Sequence, residues 1–176
     1  MDSSTTVPAA AGRLTTGSPE ATRALGAALG AAAGPGTVLA LIGPLGAGKT
    51  QLAKGVATGL GVAGVVNSPT FVLMNEHVGR LRLFHVDAYR LDDPEEALAA
   101  GVLDERQAEG VTVVEWADRL DGWLPLDRID LEIEHDPASA ARERAITWKA
   151  HGPAHRRLAA AALAARSGRE PDGNAG

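Results

Sequence analysis

Eight consecutive residues, Gly43, Pro44, Leu45, Gly46, Ala47, Gly48, Lys49 and Thr50, carry the pattern G-x-x-x-x-G-K-[ST]. Glycines at 43, 46 and 48 let the backbone approach a polyphosphate without Cβ clashes. Successive N–H groups and the positive end of a following helix can then face the anion. In this pattern Lys49 neutralises the β- and γ-phosphates and the Thr50 hydroxyl ligates Mg²⁺. The competing reading is a glycine-rich turn with no ligand. With only three lysines in the chain, a chance match to the pattern is roughly a one per cent event or rarer.

A phosphate loop specifies binding and leaves the chemistry to other groups, of which two carboxylates are well placed. Glu115 closes the apolar run Val111 to Val114, and an acidic residue at the carboxyl end of a buried strand beside a phosphate loop can hold Mg²⁺ directly or through water. A solvated strand-end carboxylate is the alternative. Asp87 follows the run Leu81 to Val86, and His85, two residues back, shares its strand face. The pair could position a water or sense the γ-phosphate, or His85 could be a hydrogen-bonded structural residue. Ser68 and Thr70 supply hydroxyls in Asn67 to Phe71, between the loop helix and the next strand, where nucleotide switches place such groups. Pro69 biases Ser68 toward extended geometry, and the segment reads equally well as an ordinary Asn-Ser-Pro turn.

These groups need a scaffold, and the hydrophobic pattern describes one. Val38 to Ile42 is an apolar run bounded by turn residues, as in a central parallel strand covered on both faces. From Lys49 the chain reads as a helix with Leu52, Val56 and Leu60 along one side. Ser18 followed by Pro19 opens a helix that runs to about Ala33, and Gly34, Pro35 and Gly36 end it. Thr70 to Met74 and Leu81 to Val86 read as a hairpin across Gly79, and Asp93 to Ala100 as a short helix stopped by Gly101. Ile129 to Ile133 and Ala145 to Trp148 alternate apolar and polar residues, which suits half-exposed antiparallel edge strands. Pro153 opens a closing Ala-rich helix to Arg166. The expected fold is α/β: one P-loop domain over residues 12–166 with a mixed, mainly parallel central sheet flanked by helices and antiparallel edge strands. Residues 1–11 and 167–176, rich in small and polar types, are expected to be disordered tails.

Composition excludes several classes. The 176 residues suit one domain, and 45% hydrophobic residues provide a core. Seventeen Lys and Arg against twenty-two Asp and Glu leave a formal charge of −5, with no general pull toward nucleic acid, so an RNA role would run through a partner. The absence of cysteine rules out disulfides and thiolate metal sites. No apolar stretch has membrane-spanning length, and Met1 to Gly12 lacks a basic segment followed by an apolar core. The cytoplasm is the default expectation.

Four segments in order, GPLGAGKT at 43–50, NSPTFVL at 67–73, HVDAYRL at 85–91 and VVEWADRL at 113–120, together resemble the bacterial tRNA threonylcarbamoyladenosine biosynthesis ATPase family, TsaE. The resemblance spans about residues 12–150. It implies a small P-loop ATPase that acts with two partner proteins of the TsaB and TsaD type in forming threonylcarbamoyladenosine at adenosine 37 of tRNAs reading ANN codons; a switch at Asn67 to Phe71 left mobile without those partners would make the isolated chain a slow ATPase. The tRNA is met only through those partners. On matching residues it implies a nucleotide cradle of Gly43, Leu45, Gly46, Ala47, Gly48, Lys49, Thr50 and Gln51, joined by Ser68 and Thr70. ATP is the expected nucleotide, with Mg²⁺ on Thr50 and Glu115. Lys49, Glu115 and Asp87 form the implied catalytic set, Asp87 as the water-positioning or second metal-linked carboxylate. His85, Tyr89, Arg90 and Trp116 lie in the same segments without an assigned role. Pro44 and Gln51 depart from the family pattern, at positions with no named phosphate or metal contact.

Other classes leave different traces. A GTPase needs an N-K-x-D segment and usually D-x-x-G, and the chain has neither. A small-molecule P-loop kinase would share the chain up to Thr50 and use Asp87 as a base, but no Arg-rich lid insertion is evident. A scaffold that binds nucleotide without hydrolysing it is the third possibility.

Overall fold

The computed structural model describes residues 10–69, 73–135, 142–164 and 166. Its strands are β1 (Ala11–Thr16), β2 (Thr37–Ile42), β3 (Met74–His77), β4 (Leu83–Asp87), β5 (Val111–Glu115), β6 (Arg128–His135) and β7 (Arg144–His151). They form one sheet in the order β1-β7-β6-β2-β5-β4-β3. The centre is parallel: β2 pairs with both β5 and β6, and β4 pairs with β5. The flanks are antiparallel, with β7 on β6, β1 on β7 and β3 on β4. The helices are α1 (Pro19–Ala32), α2 (Lys49–Gly59), α3 (Pro94–Ala99) and α4 (Pro153–Ala159). None is long and apolar enough to cross a membrane.

Burial explains why β2 sits at the centre. Val38, Leu39, Ala40 and Leu41 are all buried, because α1, α2 and α4 cover one face and a smaller apolar layer covers the other. Leu25 and Leu29 of α1 and Leu52 and Val56 of α2 fill the first layer. Leu91, Ala97, Val102 and Leu120 fill the second over Ala40, Val86 and Val114. Ser18 caps α1 as its sequence indicates, its Oγ accepting from Ala21 N at 3.1 Å. At the other end Arg80, in the β3–β4 turn, donates to the Gly30, Ala31 and Ala33 carbonyls at 2.6, 3.0 and 2.7 Å.

Several expectations need correction. The alternating strands at 129–133 and 145–148 are not edges: β6 lies between β2 and β7, and β7 between β6 and β1. Their alternation arises because one face of this half-sheet is left to solvent, where Glu132, Glu134, Thr147 and Lys149 are exposed while Ile129, Leu131, Ile146 and Trp148 are buried. β1 was unanticipated and is the edge on this side of the sheet; only Leu14 and Thr16 of its six residues are buried, too few for a periodic signal. The first strand of the hairpin is Met74–His77, later than expected, and Thr70, Phe71 and Val72 lie outside the described residues. The closing helix is α-helical only to Ala159 and continues as a π-helical turn over Ala160–Ala164. Both proposed tails fall largely outside the described residues.

α1 and α2 cross with their backbones in near contact. A Cβ on Gly26 would lie 2.2 Å from the Leu52 carbonyl oxygen, and one on Gly55 would lie 2.1 Å from that of Arg23. Glycine is required there by proximity rather than by backbone angle. The contact ties the helix that begins at Lys49 to its neighbour and so fixes the direction in which the loop's end points.

Candidate functional site

The glycine loop joins the end of β2 to the start of α2, above the carboxyl ends of the parallel strands, where open α/β sheets bind ligands. Gly48 has φ +106 and no side-chain cap, so its backbone turns directly into α2 and leaves the helix's first N–H groups to an external acceptor. Gly43 answers a different need: a Cβ there would lie 2.3 Å from the Ile133 carbonyl oxygen of β6. A cavity of about 710 Å³ opens over the loop, within the range of small-ligand sites. Leu45, Gly46, Ala47, Gly48, Lys49, Thr50, Gln51, Ser68, Asp87 and Glu115 all line it.

Glu115 is the centre of the polar groups. Thr50 Oγ1 donates to its Oε1 at 2.7 Å across 65 residues of chain, and Ser68 Oγ donates to Oε2 at 2.6 Å. His85 Nε2 stands 3.2 Å from the same Oε2. Burial pushes the Glu115 carboxyl up, but the hydrogen bonds from His85, Ser68 and Thr50 outweigh it and hold the group below the usual value of 4.5. Thr50 Oγ1 and Ser68 Oγ are also 2.8 Å apart. Two hydroxyl protons cannot serve three short oxygen–oxygen contacts, so with both protons on the carboxylate the hydroxyl oxygens face each other lone pair to lone pair. An all-oxygen set crowded around one carboxylate suits a hard cation such as Mg²⁺. No group of three His, Cys, Asp or Glu is arranged to hold a metal among the described residues, so phosphate oxygens and water would complete such an ion's shell.

Lys49 is 5% exposed and its Nζ donates to the carbonyls of Gly43 and Pro44 at 2.6 and 2.9 Å. The Trp116 ring covers it, with Nζ 4.0 Å from the ring centroid. Burial lowers the Lys49 pKa below 10.5, opposed by the charges of Glu115, Asp118 and Asp87. Trp116 adopts φ +56, a backbone conformation that a bulky residue rarely takes, and Tyr89 packs on it with centroids 4.8 Å apart. Asp87, the register partner of Glu115, accepts from Tyr89 N at 3.0 Å, and burial raises its pKa above 3.8.

The structure brings most of the anticipated residues together and separates some. Leu45 is 79% exposed at the rim and Ala47 is buried in the core, so both can meet a ligand only through the backbone near their Cα atoms. Gly43 reaches the site through its carbonyl on Lys49 rather than by lining the cavity. Gln51 lines the cavity with its Oε1 buried and unpartnered. His85 keeps the strand face it shares with Asp87, and its Nε2 also stands 3.2 Å from Glu115 Oε2. Thr70 lies outside the described residues, and Arg90 is exposed and away from the cavity. Pro19, Thr22, Arg142 and Arg144 line the cavity without having been anticipated. No local pattern marks them, since they come from the start of α1 and the start of β7.

Known proteins place this geometry. The family model described as Threonylcarbamoyl adenosine biosynthesis protein TsaE matches residues 16–146. The tRNA threonylcarbamoyladenosine biosynthesis protein TsaE of Bacillus subtilis (strain 168) is 44% identical over 136 residues, covering 76% of this chain and 82% of that protein. Its counterpart in Mycobacterium leprae is 41% identical over 138 residues, covering 73% and 86%. The crystal structure of YdiB from Bacillus subtilis is similar with a TM-score of 0.68 at 36% identity, covering 84% of this chain and 90% of that one. The chain belongs to the TsaE family.

Proposed function

We propose that this chain is the ATP-binding and ATP-hydrolysing component of threonylcarbamoyladenosine formation on tRNA. The observation that carries the reading is the 2.7 Å hydrogen bond from Thr50, the last residue of the glycine-loop pattern, to Glu115 at the end of the neighbouring parallel strand. The names of the relatives, tRNA threonylcarbamoyladenosine biosynthesis proteins, supply the pathway.

In this reading the backbone N–H groups of Gly46, Gly48, Lys49 and Thr50 cradle the polyphosphate, and Lys49 exchanges its two carbonyl partners for phosphate oxygens. Thr50 and Glu115, with Ser68 beside them, would hold Mg²⁺, which would supply positive charge against that of the phosphates. His85 orients the Glu115 carboxylate from behind. Asp87, raised in pKa by burial and lining the cavity, accepts a proton from or aligns the attacking water. Ser68 belongs to the loop after α2, and its bond to Glu115 links that loop to the site. A change in the occupancy of the site therefore breaks or remakes a loop contact, which is how nucleotide switches signal to partners. We assign the partners as a two-protein complex of the TsaB and TsaD type, with ATP favouring association and ADP favouring release. The acidic net charge of −5 agrees with tRNA contact made by those partners.

The test is complementation of a bacterial strain depleted of its own TsaE, followed by nucleoside analysis of its tRNA. Restored threonylcarbamoyladenosine, lost again with Lys49→Ala, is the expected result. Soluble expression of this chain without restoration of the nucleoside would contradict the proposal.

A further inference from the structure

Arg144 opens β7, almost a hundred residues beyond the glycine loop, yet its guanidinium lies on that loop's backbone. Nε donates to the Ala47 carbonyl at 3.0 Å and Nη2 reaches the Gly46 carbonyl at 3.4 Å. Nη1 contacts Nδ1 of His135 at 3.1 Å, and His135 is its register partner on β6. The guanidinium thus joins the β6–β7 pair to two consecutive peptide groups of the loop.

Those two peptides are differently constrained. A trans peptide is planar, with its carbonyl and N–H pointing in opposite directions. The Gly46–Ala47 peptide is held at both ends, because Ala47 N donates to Pro44 O at 3.1 Å while Gly46 O meets Arg144. The Ala47–Gly48 peptide is held by Arg144 at its oxygen, which sends the Gly48 N–H to the opposite side. Gly46 has φ +78 and Gly48 φ +106, and a Cβ on Gly46 would meet nothing within 4 Å, so local sterics do little to stop these peptides from rotating.

We propose that Arg144 is a positioning residue of the phosphate-binding loop, holding the Gly46 and Ala47 carbonyls outward so that the Gly48 N–H faces the polyphosphate. The planar fork matters as well as the charge. Nε and Nη2 lie on one edge of the guanidinium and can meet two neighbouring carbonyls together, whereas a lysine ammonium is a point charge without that geometry. The inference rests on the polyphosphate-binding reading of the loop.

The test compares Arg144→Met and Arg144→Lys with the wild-type chain for affinity toward ATP, ADP and inorganic tripolyphosphate. The expected result is a loss of about ten- to a hundredfold for Arg144→Met, similar for all three ligands, with no recovery in Arg144→Lys. Recovery in Arg144→Lys would assign the effect to charge, and retained tripolyphosphate affinity alongside weakened ATP would assign it to a base or sugar contact. Either result overturns the proposal, as does unchanged affinity in Arg144→Met. If the wild-type chain bound none of the three, the polyphosphate reading itself would fail. Independently of any variant, NMR of the wild-type chain should show the Arg144 Nε–H still protected from exchange when tripolyphosphate is bound. Release of that proton on binding would also overturn the proposal.

Discussion

Lys49 Nζ lies 4.0 Å from the centroid of the Trp116 ring, held there by the Gly43 and Pro44 carbonyls. The lysine that should meet phosphate is parked on its own loop and roofed by an indole. On the proposed reading, nucleotide binding would trade two bonds from the ammonium to neutral carbonyl oxygens for bonds in which donor and acceptor carry opposite charge.

Lys49→Ala should weaken ATP binding by about ten- to a hundredfold, the value of one or two charge-assisted hydrogen bonds. The fold should survive, because the substitution also removes a buried cation whose desolvation is unfavourable. Isothermal titration paired with circular dichroism checks both halves. Undiminished affinity in a folded variant would remove the loop from the account.

The affinity should also depend on pH in a defined direction. Burial lowers the Lys49 pKa in the free protein, and bound phosphate raises it, so the bound state holds the proton more tightly. ATP affinity should therefore begin to fall as pH rises through the lowered value, before the ordinary lysine value of 10.5 is reached. Titrations from neutral pH upward measure this, and Lys49→Ala should flatten the curve.

Asp87 and Glu115 face each other across β4 and β5, yet their substitutions should separate. If Asp87 accepts from the attacking water as proposed, Asp87→Asn should lower ATP hydrolysis by about a hundredfold with little change in nucleotide affinity. Hydrolysis by the wild-type chain should decline on acidification through a pKa above 3.8, since protonation removes the same acceptor. Phosphate release measured across pH, with partners present, checks the prediction. An Asp87→Asn chain with wild-type turnover would move the water-positioning role elsewhere.

Gly26→Ala tests the contact that aims α2. Helix propensity alone favours alanine by about 1 kcal/mol. The added Cβ would meet the Leu52 carbonyl oxygen at 2.2 Å, an overpacking against backbone that costs roughly 1–3 kcal/mol or more. The clash should win, lowering the melting temperature by several degrees at about 2–4 °C per kcal/mol. Gly17→Ala is the control: a Cβ there meets nothing within 4 Å, and its stability change should stay within about 0.5 kcal/mol. Equal melting temperatures for the two variants would contradict the packing argument.

What the sequence revealed depended on how local each signal was. The strand–loop–helix unit at 37–59 was legible because one apolar run, three glycines and a Lys-Thr pair occur side by side. Glu115 was legible as the end of a buried strand, and its meeting with Thr50 follows once β5 pairs beside β2. Its other partners were not legible in the same way. His85 reads as a companion of Asp87 from strand periodicity, but its 3.2 Å approach to Glu115, diagonal to its register partner Val113, is not written there. The roofing of Lys49 by Trp116 depends on a positive φ that no motif announces. Arg144 reaches the loop only because β6 turns back into β7, and the glycines of α1 gain meaning only against α2. Sequence periodicity reports which side of an element is buried, not which atoms it meets there.

Thr50, Ser68 and Glu115 form an oxygen cluster that, on the proposed reading, takes up Mg²⁺ together with nucleotide. Equilibrium binding of ATP, with Mg²⁺ and with the metal chelated, in wild-type and Glu115→Gln chains tests it most directly. Mg²⁺ should strengthen ATP binding by the wild-type chain, and Glu115→Gln should lose most of that increment while still binding metal-free ATP. Wild-type binding indifferent to Mg²⁺, or a Glu115→Gln chain with the full Mg²⁺ increment, would contradict it.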